Sequence, residues 1–314
     1  MSMIEQLREQ AVQDLRRIKA FEATWAVRSS FLAGKLPPKD EVTRTSVLRL
    51  GDSLSAAFEL LGKGDRSQGG VSSGGAVWEA IVVWYLNLCL AGTRAVCVRG
   101  GSLCPQPIKD ALSIVHESNI LRSEPDVLII SSEHLQTAPR VSNRRKLLSA
   151  SNAIAENYFH SLGLINIQCK TNWNDNSQIP MLWNMLYNQA RKGATIPNGF
   201  TVGCNGFSLT SIGHFGYAFA TVPTQTKGPG GYKATALEVL RVKSMTAGNY
   251  WGYPSKNSVC SSLSELFQFF TRNGTVFPAI AEVGKHAADA IRSGGSADFN
   301  IGKLFFPTQP PGCD

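Results

Sequence analysis

The stretch Leu164–Tyr187, LINIQCKTNWNDNSQIPMLWNMLY, sets the frame for the rest of the chain. Its first seven residues alternate in character. Ile165, Ile167 and Cys169 point one way from an extended backbone, and Asn166, Gln168 and Lys170 point the other. The pattern predicts a strand over 164–170 with an apolar face on the core and a polar face in solvent. Thr171–Asn176 is predicted as a polar turn. From Ser177 the period lengthens, and Ile179, Leu182, Trp183 and Leu186 share one face of a predicted helix. Gln168 and Lys170 therefore stand on the same face of a strand, just before a turn. A lysine fixed there beside an oxygen-bearing side chain is placed to meet a phosphate or a water. The plain alternative is a half-buried strand with a solvated polar side.

Upstream, Ala76–Leu90, AVWEAIVVWYLNLCL, is apolar almost all round and predicts a central buried helix. Glu79 is its one charged residue. It either sits in the first turn, where the helix dipole favours an acid, or carries a carboxylate into a site. Strands are predicted over Thr93–Arg99 and over Glu124–Ser131, the second opening on Pro125-Asp126. A short helix is expected over Pro107–His116. Earlier still, Ile4, Leu7, Ala11, Leu15 and Ile18 recur at helical spacing and predict one helix over 3–33. Pro37-Pro38 ends it, and Asp40 or Thr43 is the expected cap of a helix running to Leu61. The glycine- and serine-rich Gly62–Gly75 lacks the order of a phosphate-binding loop and is expected to be a surface loop. Downstream, strands are expected over 199–204, 214–222 and 235–243, then helices over 258–272 and 278–292.

The alternation of strands and helices over 76–190 implies an α/β core, or α+β where the β-rich segments gather at one end. The expected organisation is an N-terminal helical region (1–75), a core (76–192) and a β-rich region with C-terminal helices (193–314), joined in one compact unit. No apolar run is long enough to span a membrane, and the charged start MSMIEQLREQ does not resemble a signal peptide. The seven cysteines are odd in number and form no CxxC pair. That pattern fits reduced thiols in a cytoplasm and excludes a zinc knuckle or a disulfide framework.

Charge is distributed unevenly. The chain carries 31 Lys/Arg and 23 Asp/Glu, a net +8. Between His134 and Cys260 there are twelve Lys/Arg and three Asp/Glu. A localised positive surface favours a polyanion, with nucleic acid first. Arg140, Arg144, Arg145 and Lys146 precede or open a predicted helix ending near His160. Basic groups at a helix start oppose its dipole, so they face an external partner or are held by acids elsewhere.

Glu79, Asp126, Gln168 and Lys170 form the candidate constellation. Hydrolysis of a phosphodiester needs a metal held by oxygen ligands, an activated water and a cation near the developing charge. Asp126 and the Gln168-x-Lys170 pair could supply these parts, with Glu79 adding a ligand through water. Pro125-Asp126 followed by Gln168-Cys169-Lys170, with its strand, polar turn and helix, resembles the PD-(D/E)XK nuclease signature, seen most often in type II restriction endonucleases. The resemblance covers residues 76–190. It departs from the usual pattern in the neutral Gln168 and in the long step from Asp126 to Gln168. Glu133 and Asp175 are the alternative second acids.

The resemblance implies a restriction-endonuclease-like mixed sheet flanked by helices and hydrolysis of double-stranded DNA at a specific short sequence. It implies magnesium held by Asp126, the Cys169 carbonyl and Gln168, with Lys170 orienting the attacking water or contacting the phosphate. A homodimer is expected, since a palindromic site mirrors a two-fold axis. A cognate DNA methyltransferase is expected in the same system. Candidate DNA contacts are Arg140, Arg144, Arg145, Lys146, Asn172, Asn174, Arg241, Lys243 and Asn249. Two other functions remain open: a repair or structure-specific nuclease of the same fold, and a non-catalytic nucleic-acid-binding protein. In the latter, Asp126 and Lys170 would form an ordinary ion pair.

Overall fold

A computed structural model describes residues 2–60, 68–122, 125–171, 178–196, 199–222, 248–251, 262–271 and 276–293. In chain order, α1 (Met3–Leu15), α2 (Lys19–Ala33), α3 (Arg44–Arg49) and α4 (Leu54–Glu59) lead to the long α5 (Gln68–Leu90). Next come β1 (Ala95–Arg99), α6 (Gln106–Leu112), the hairpin of β2 (Ser113–His116) and β3 (Asn119–Arg122), and β4 (Val127–Ser131). Helices α7 (Glu133–Thr137) and α8 (Arg144–Asn157) separate β4 from β5 (Gly163–Lys170). After α9 (Gln178–Arg191) follow β6 (Phe200–Val202), β7 (His214–Thr221), β8 (Gly248–Trp251), α10 (Leu266–Thr271) and α11 (Lys285–Ser293).

The fold is mixed α and β, as expected. A five-stranded sheet runs β1-β4-β5-β7-β8, and a three-stranded sheet runs β3-β2-β6. In the larger sheet β1, β4 and β5 are antiparallel neighbours, while β5, β7 and β8 are parallel. β7 lies in the segment expected to form the β-rich region 193–314, and it is the fourth strand of the central sheet. It pairs with β5 from Gly163↔His214 to Lys170↔Thr221.

Both faces of the sheet are covered. One core joins α5 to Ala95, Cys97, Val127, Ile129, Ile165, Ile167, Cys169, Ala218 and Ala220. The other joins α1, α6 and α8 to Val96, Val98, Leu128, Ile130, Leu164, Tyr217 and Phe219. On the polar face of β5 expected to be solvated, Asn166 and Gln168 are therefore buried beneath this second layer, and only Lys170 at the strand end keeps some exposure. Asn166 is 0% exposed and Gln168 is 5% exposed.

The apolar helix at 76–90 is the centre of the first layer, with Trp78, Ala80, Ile81 and Tyr85 fully buried. Its buried Asn87 donates to the Cys97 carbonyl (2.7 Å) and accepts from the Cys97 N–H (3.0 Å). That pair satisfies polar backbone on the edge strand β1, where a further strand would otherwise be needed.

Several expectations need correction. The expected helix over 3–33 is broken at Arg16–Ile18, where Ile18 is extended and Arg16 forms a charge-assisted pair with Glu22 across the break. The second half of the expected loop at 62–75 belongs to α5, which begins at Gln68, while residues 61–67 lie outside the described residues. The helix expected at 107–116 ends at Leu112, and Ser113–His116 pairs as a strand with both β3 and β6. In α9, Asn184 and Tyr187 are buried, but Leu182 is 57% exposed. Thr43 caps α3 as expected, accepting from the Ser46 N–H, but the helix expected to run to Leu61 is interrupted by a 3-10 turn at Leu50–Ser53 before α4. The strand expected at 235–243 lies outside the described residues. Among the described residues no helix is long and apolar enough to cross a membrane.

Candidate active site

The site is built at one end of the central sheet. β1 and β5 end there, at Arg99 and Lys170, and antiparallel β4 begins there, just after Asp126. Register Val127↔Ile167 places Asp126 beside Gln168 across the β4–β5 pair.

Asp126 is fixed from several directions. Its Oδ2 accepts from the Cys169 backbone N–H (2.8 Å) and from Lys170 Nζ (2.9 Å). Its backbone carbonyl accepts from the Gly100 N–H (3.0 Å). Lys170 Nζ also donates to Gln168 Oε1 (3.2 Å), so one ammonium bridges the two oxygen-bearing groups. About a fifth of each side chain of the Asp126–Lys170 pair is exposed. The pair is thus held by the sheet but remains open to a ligand.

Glu79 approaches from α5. It sits well inside that helix and not in its first turn, so the dipole does not account for it. Its carboxylate accepts from Arg99 Nε (2.7 Å). Burial pushes the Glu79 carboxyl above its ordinary value, the Arg99 bond opposes that shift, and the nearby Asp126 charge adds to it. Lys170 is also close enough to act on it. Two carboxylates and two cations therefore share one electrostatic neighbourhood.

Sequence reasoning did not single out Arg99. The available signal was its place at the end of the strand that follows the Glu79 helix. Cys169 faces the apolar layer as expected. Its thiol is pushed well above the ordinary range, first by burial and then by the Asp126 and Glu79 charges, which suits a core residue and not a nucleophile.

No protein-family model and no curated protein sequence matches the chain. The functional reading therefore rests on this geometry. Among the described residues there is no group of three or more His, Cys, Asp and Glu side chains able to hold a metal. Any metal here would depend on Asp126 and Glu79, with neutral oxygens from Gln168 and the Cys169 carbonyl.

The remaining candidates are dispersed. Arg144 pairs with Asp14 (2.6 Å) and Arg140 with Glu9 (3.3 Å), both acids of α1. Arg145 and Lys146 are exposed at the start of α8. Glu133 pairs with Arg94 beyond the opposite end of β4. Asn249 belongs to β8, where its backbone neighbours Phe219. Asn172, Asn174, Asp175, Arg241 and Lys243 lie outside the described residues.

Proposed function

We propose that this chain is a magnesium-dependent type II restriction endonuclease of the PD-(D/E)XK kind. In this reading it acts as a cytoplasmic homodimer on double-stranded DNA at a specific short sequence. The observation that carries the proposal is the double contact of Lys170 Nζ, at 2.9 Å to Asp126 Oδ2 and 3.2 Å to Gln168 Oε1. It joins residues distant in sequence at adjoining strand ends, in the arrangement that the resemblance implies.

The donors fit magnesium in kind. It takes oxygen ligands, often one or two carboxylates completed by water and substrate oxygens. Burial is the main reason the Glu79 carboxyl is raised, and the Asp126 charge adds to it; a divalent cation would relieve that added repulsion. Asp126 and the Cys169 carbonyl would hold the ion, with Glu79 acting through water and Gln168 as a neutral donor. When bound, magnesium lowers the pKa of coordinated water and stabilises charge on the phosphate. Lys170 has one N–H donor beyond the two in use, and it would orient the attacking water or the scissile phosphate. Arg99 brings a second cation to the same strand ends. The exposed Arg145 and Lys146 would contribute phosphate contacts that position the duplex without reading it.

One observation favours a second reading, a non-catalytic nucleic-acid-binding protein. Lys170 and Asp126, and Arg99 and Glu79, already satisfy one another as ion pairs. Binding would then be indifferent to magnesium. The deciding experiment incubates the purified protein with long unmethylated DNA, with magnesium or with EDTA. Discrete fragments that need magnesium and vanish with Lys170→Ala support the proposal. Intact DNA with a mobility shift in both lanes overturns it in favour of the binding protein. Cleavage confined to branched DNA would assign a structure-specific nuclease.

A further inference from the structure

Asn166 lies behind the catalytic constellation on the same face of β5. It is 0% exposed, in a strand whose other side chains are mostly apolar. Its Oδ1 accepts from Gln168 Nε2 at 3.3 Å, while its own Nδ2 is buried without a partner. Leu128 on β4 and Tyr217 on β7 are its register neighbours. An orphaned amide N–H in such a place is a standing cost to the fold. An apolar β-branched residue would suit the position better.

The contacts do have a direction. A glutamine amide has a donor end and an acceptor end, and either could face Lys170. Asn166 Oδ1 takes the donor end of Gln168, which leaves Oε1 turned toward Lys170 Nζ. A carboxylate at 168 would present an oxygen in either orientation, so the need for a second amide arises from the glutamine itself.

We infer that Asn166 is a positioning residue: it fixes the Gln168 amide so that its oxygen, and not its NH2 group, meets Lys170 and holds the ammonium against Asp126. The inference rests on the nuclease reading of Asp126 and Lys170 for its effect on turnover, but the relay itself is a property of the fold.

The test is a two-by-two comparison of Asn166→Val in the parent and in the Gln168→Glu background. In the parent, Asn166→Val should keep or raise the unfolding midpoint, lower kcat about ten-fold and leave KM for DNA within about two-fold. In the Gln168→Glu background the same change should alter kcat by less than about two-fold, because the coupling has lost its object. Equal losses in both backgrounds, or no loss in the parent, would overturn the inference. NMR on the unaltered protein provides a readout independent of cleavage and of any variant's folding. The Gln168 Nε2 protons should show contacts to the Asn166 side chain, with Oε1 toward the Lys170 ammonium. If those protons instead face Lys170 Nζ, the relay is wrong even where cleavage is observed. If the relay is seen and no DNA is cut, the nuclease reading fails alone.

Discussion

Gly100 and Pro125 approach so closely that a Cβ on residue 100 would stand 1.6 Å from the Pro125 carbonyl oxygen. The contact joins the end of β1 to the residue before Asp126, and the Gly100 N–H reaches the Asp126 carbonyl. The position of the candidate metal ligand thus depends on the absence of a side chain one strand away. Gly100→Ala must push the Pro125–Asp126 backbone outward. It should cost about 1–3 kcal/mol, as overpacking does, and reduce cleavage far more than DNA binding. Urea denaturation together with cleavage and gel-shift assays would check this, and parent-like cleavage would argue against the clamp.

Glu79 predicts a pH dependence. Its folded carboxyl is raised, first by burial, then by Asp126, against the opposing Arg99 and Lys170. The folded protein therefore holds a proton that the unfolded chain has already released. The associated stability is fully present below the unfolded value, about 4.3, and is lost as pH rises through the folded value. Glu79→Gln removes this titration. Relative to that variant, the parent should lose stability between about pH 4 and the raised folded value. Because magnesium needs the ionised form, the ion should stabilise the parent increasingly over the same range. Denaturation series with and without magnesium measure both effects, and a parallel pH profile in Glu79→Gln would remove Glu79 from the site.

The legible parts of the chain were those with local signatures. Ala76–Leu90 is apolar on nearly every side, which marks it as central, and Leu164–Lys170 alternates as a strand must. Asp126 and Lys170 were identifiable because each lies at the end of an apolar strand. The fate of the β5 polar face was not legible. Asn166 and Gln168 look solvent-facing in sequence, and their burial depends on helices from distant parts of the chain. The break at Arg16–Ile18 was hidden for another reason. Leu15 and Ile18 keep helical spacing across it, and neither proline nor glycine marks it. Arg99 went unnoticed because its role depends on how the end of β1 meets Glu79 of α5, and its place at the end of the strand after that helix was the one signal the sequence offered. The place of β7 in the sheet was likewise not legible, because its parallel partner β5 precedes it by a whole helix and the small sheet's β6.

Tyr250 belongs to the fold and not to a DNA surface, despite its place in the polar-aromatic run Asn249-Tyr250-Trp251. It is 1% exposed and stacks on Trp78, with ring centroids 5.9 Å apart. Trp78 Nε1 in turn donates to the Ala220 carbonyl of β7 (2.8 Å). Burial pushes the Tyr250 hydroxyl up to about 12, with a bond to Ser55 opposing it. Tyr250→Ala should cost about 3–5 kcal/mol, and Tyr250→Phe about 1 kcal/mol through removal of the hydroxyl bond. Unfolding curves give both values. For variants that stay folded, DNA affinity should match the parent, and a selective loss of affinity in Tyr250→Phe would place this residue at the interface.

The basic start of α8 divides into two classes with opposite expectations. Arg144 is engaged by Asp14, which also pairs with Arg17, and Arg140 by Glu9, so both tie α8 or its approach to α1. Arg145 and Lys146 are exposed and oppose the helix dipole. Arg144→Ala should cost about 1 kcal/mol of stability, near the upper end for a partly exposed pair, and change DNA affinity little. The double variant Arg145→Ala/Lys146→Ala should be as stable as the parent or slightly more so. It should weaken DNA binding without regard to sequence and make the slope of log affinity against log salt shallower by about 1.8, roughly 0.9 for each phosphate no longer neutralised. Binding isotherms at several salt concentrations, beside thermal unfolding of both variants, separate the classes. An unchanged slope in the double variant would place the DNA path elsewhere on the molecule.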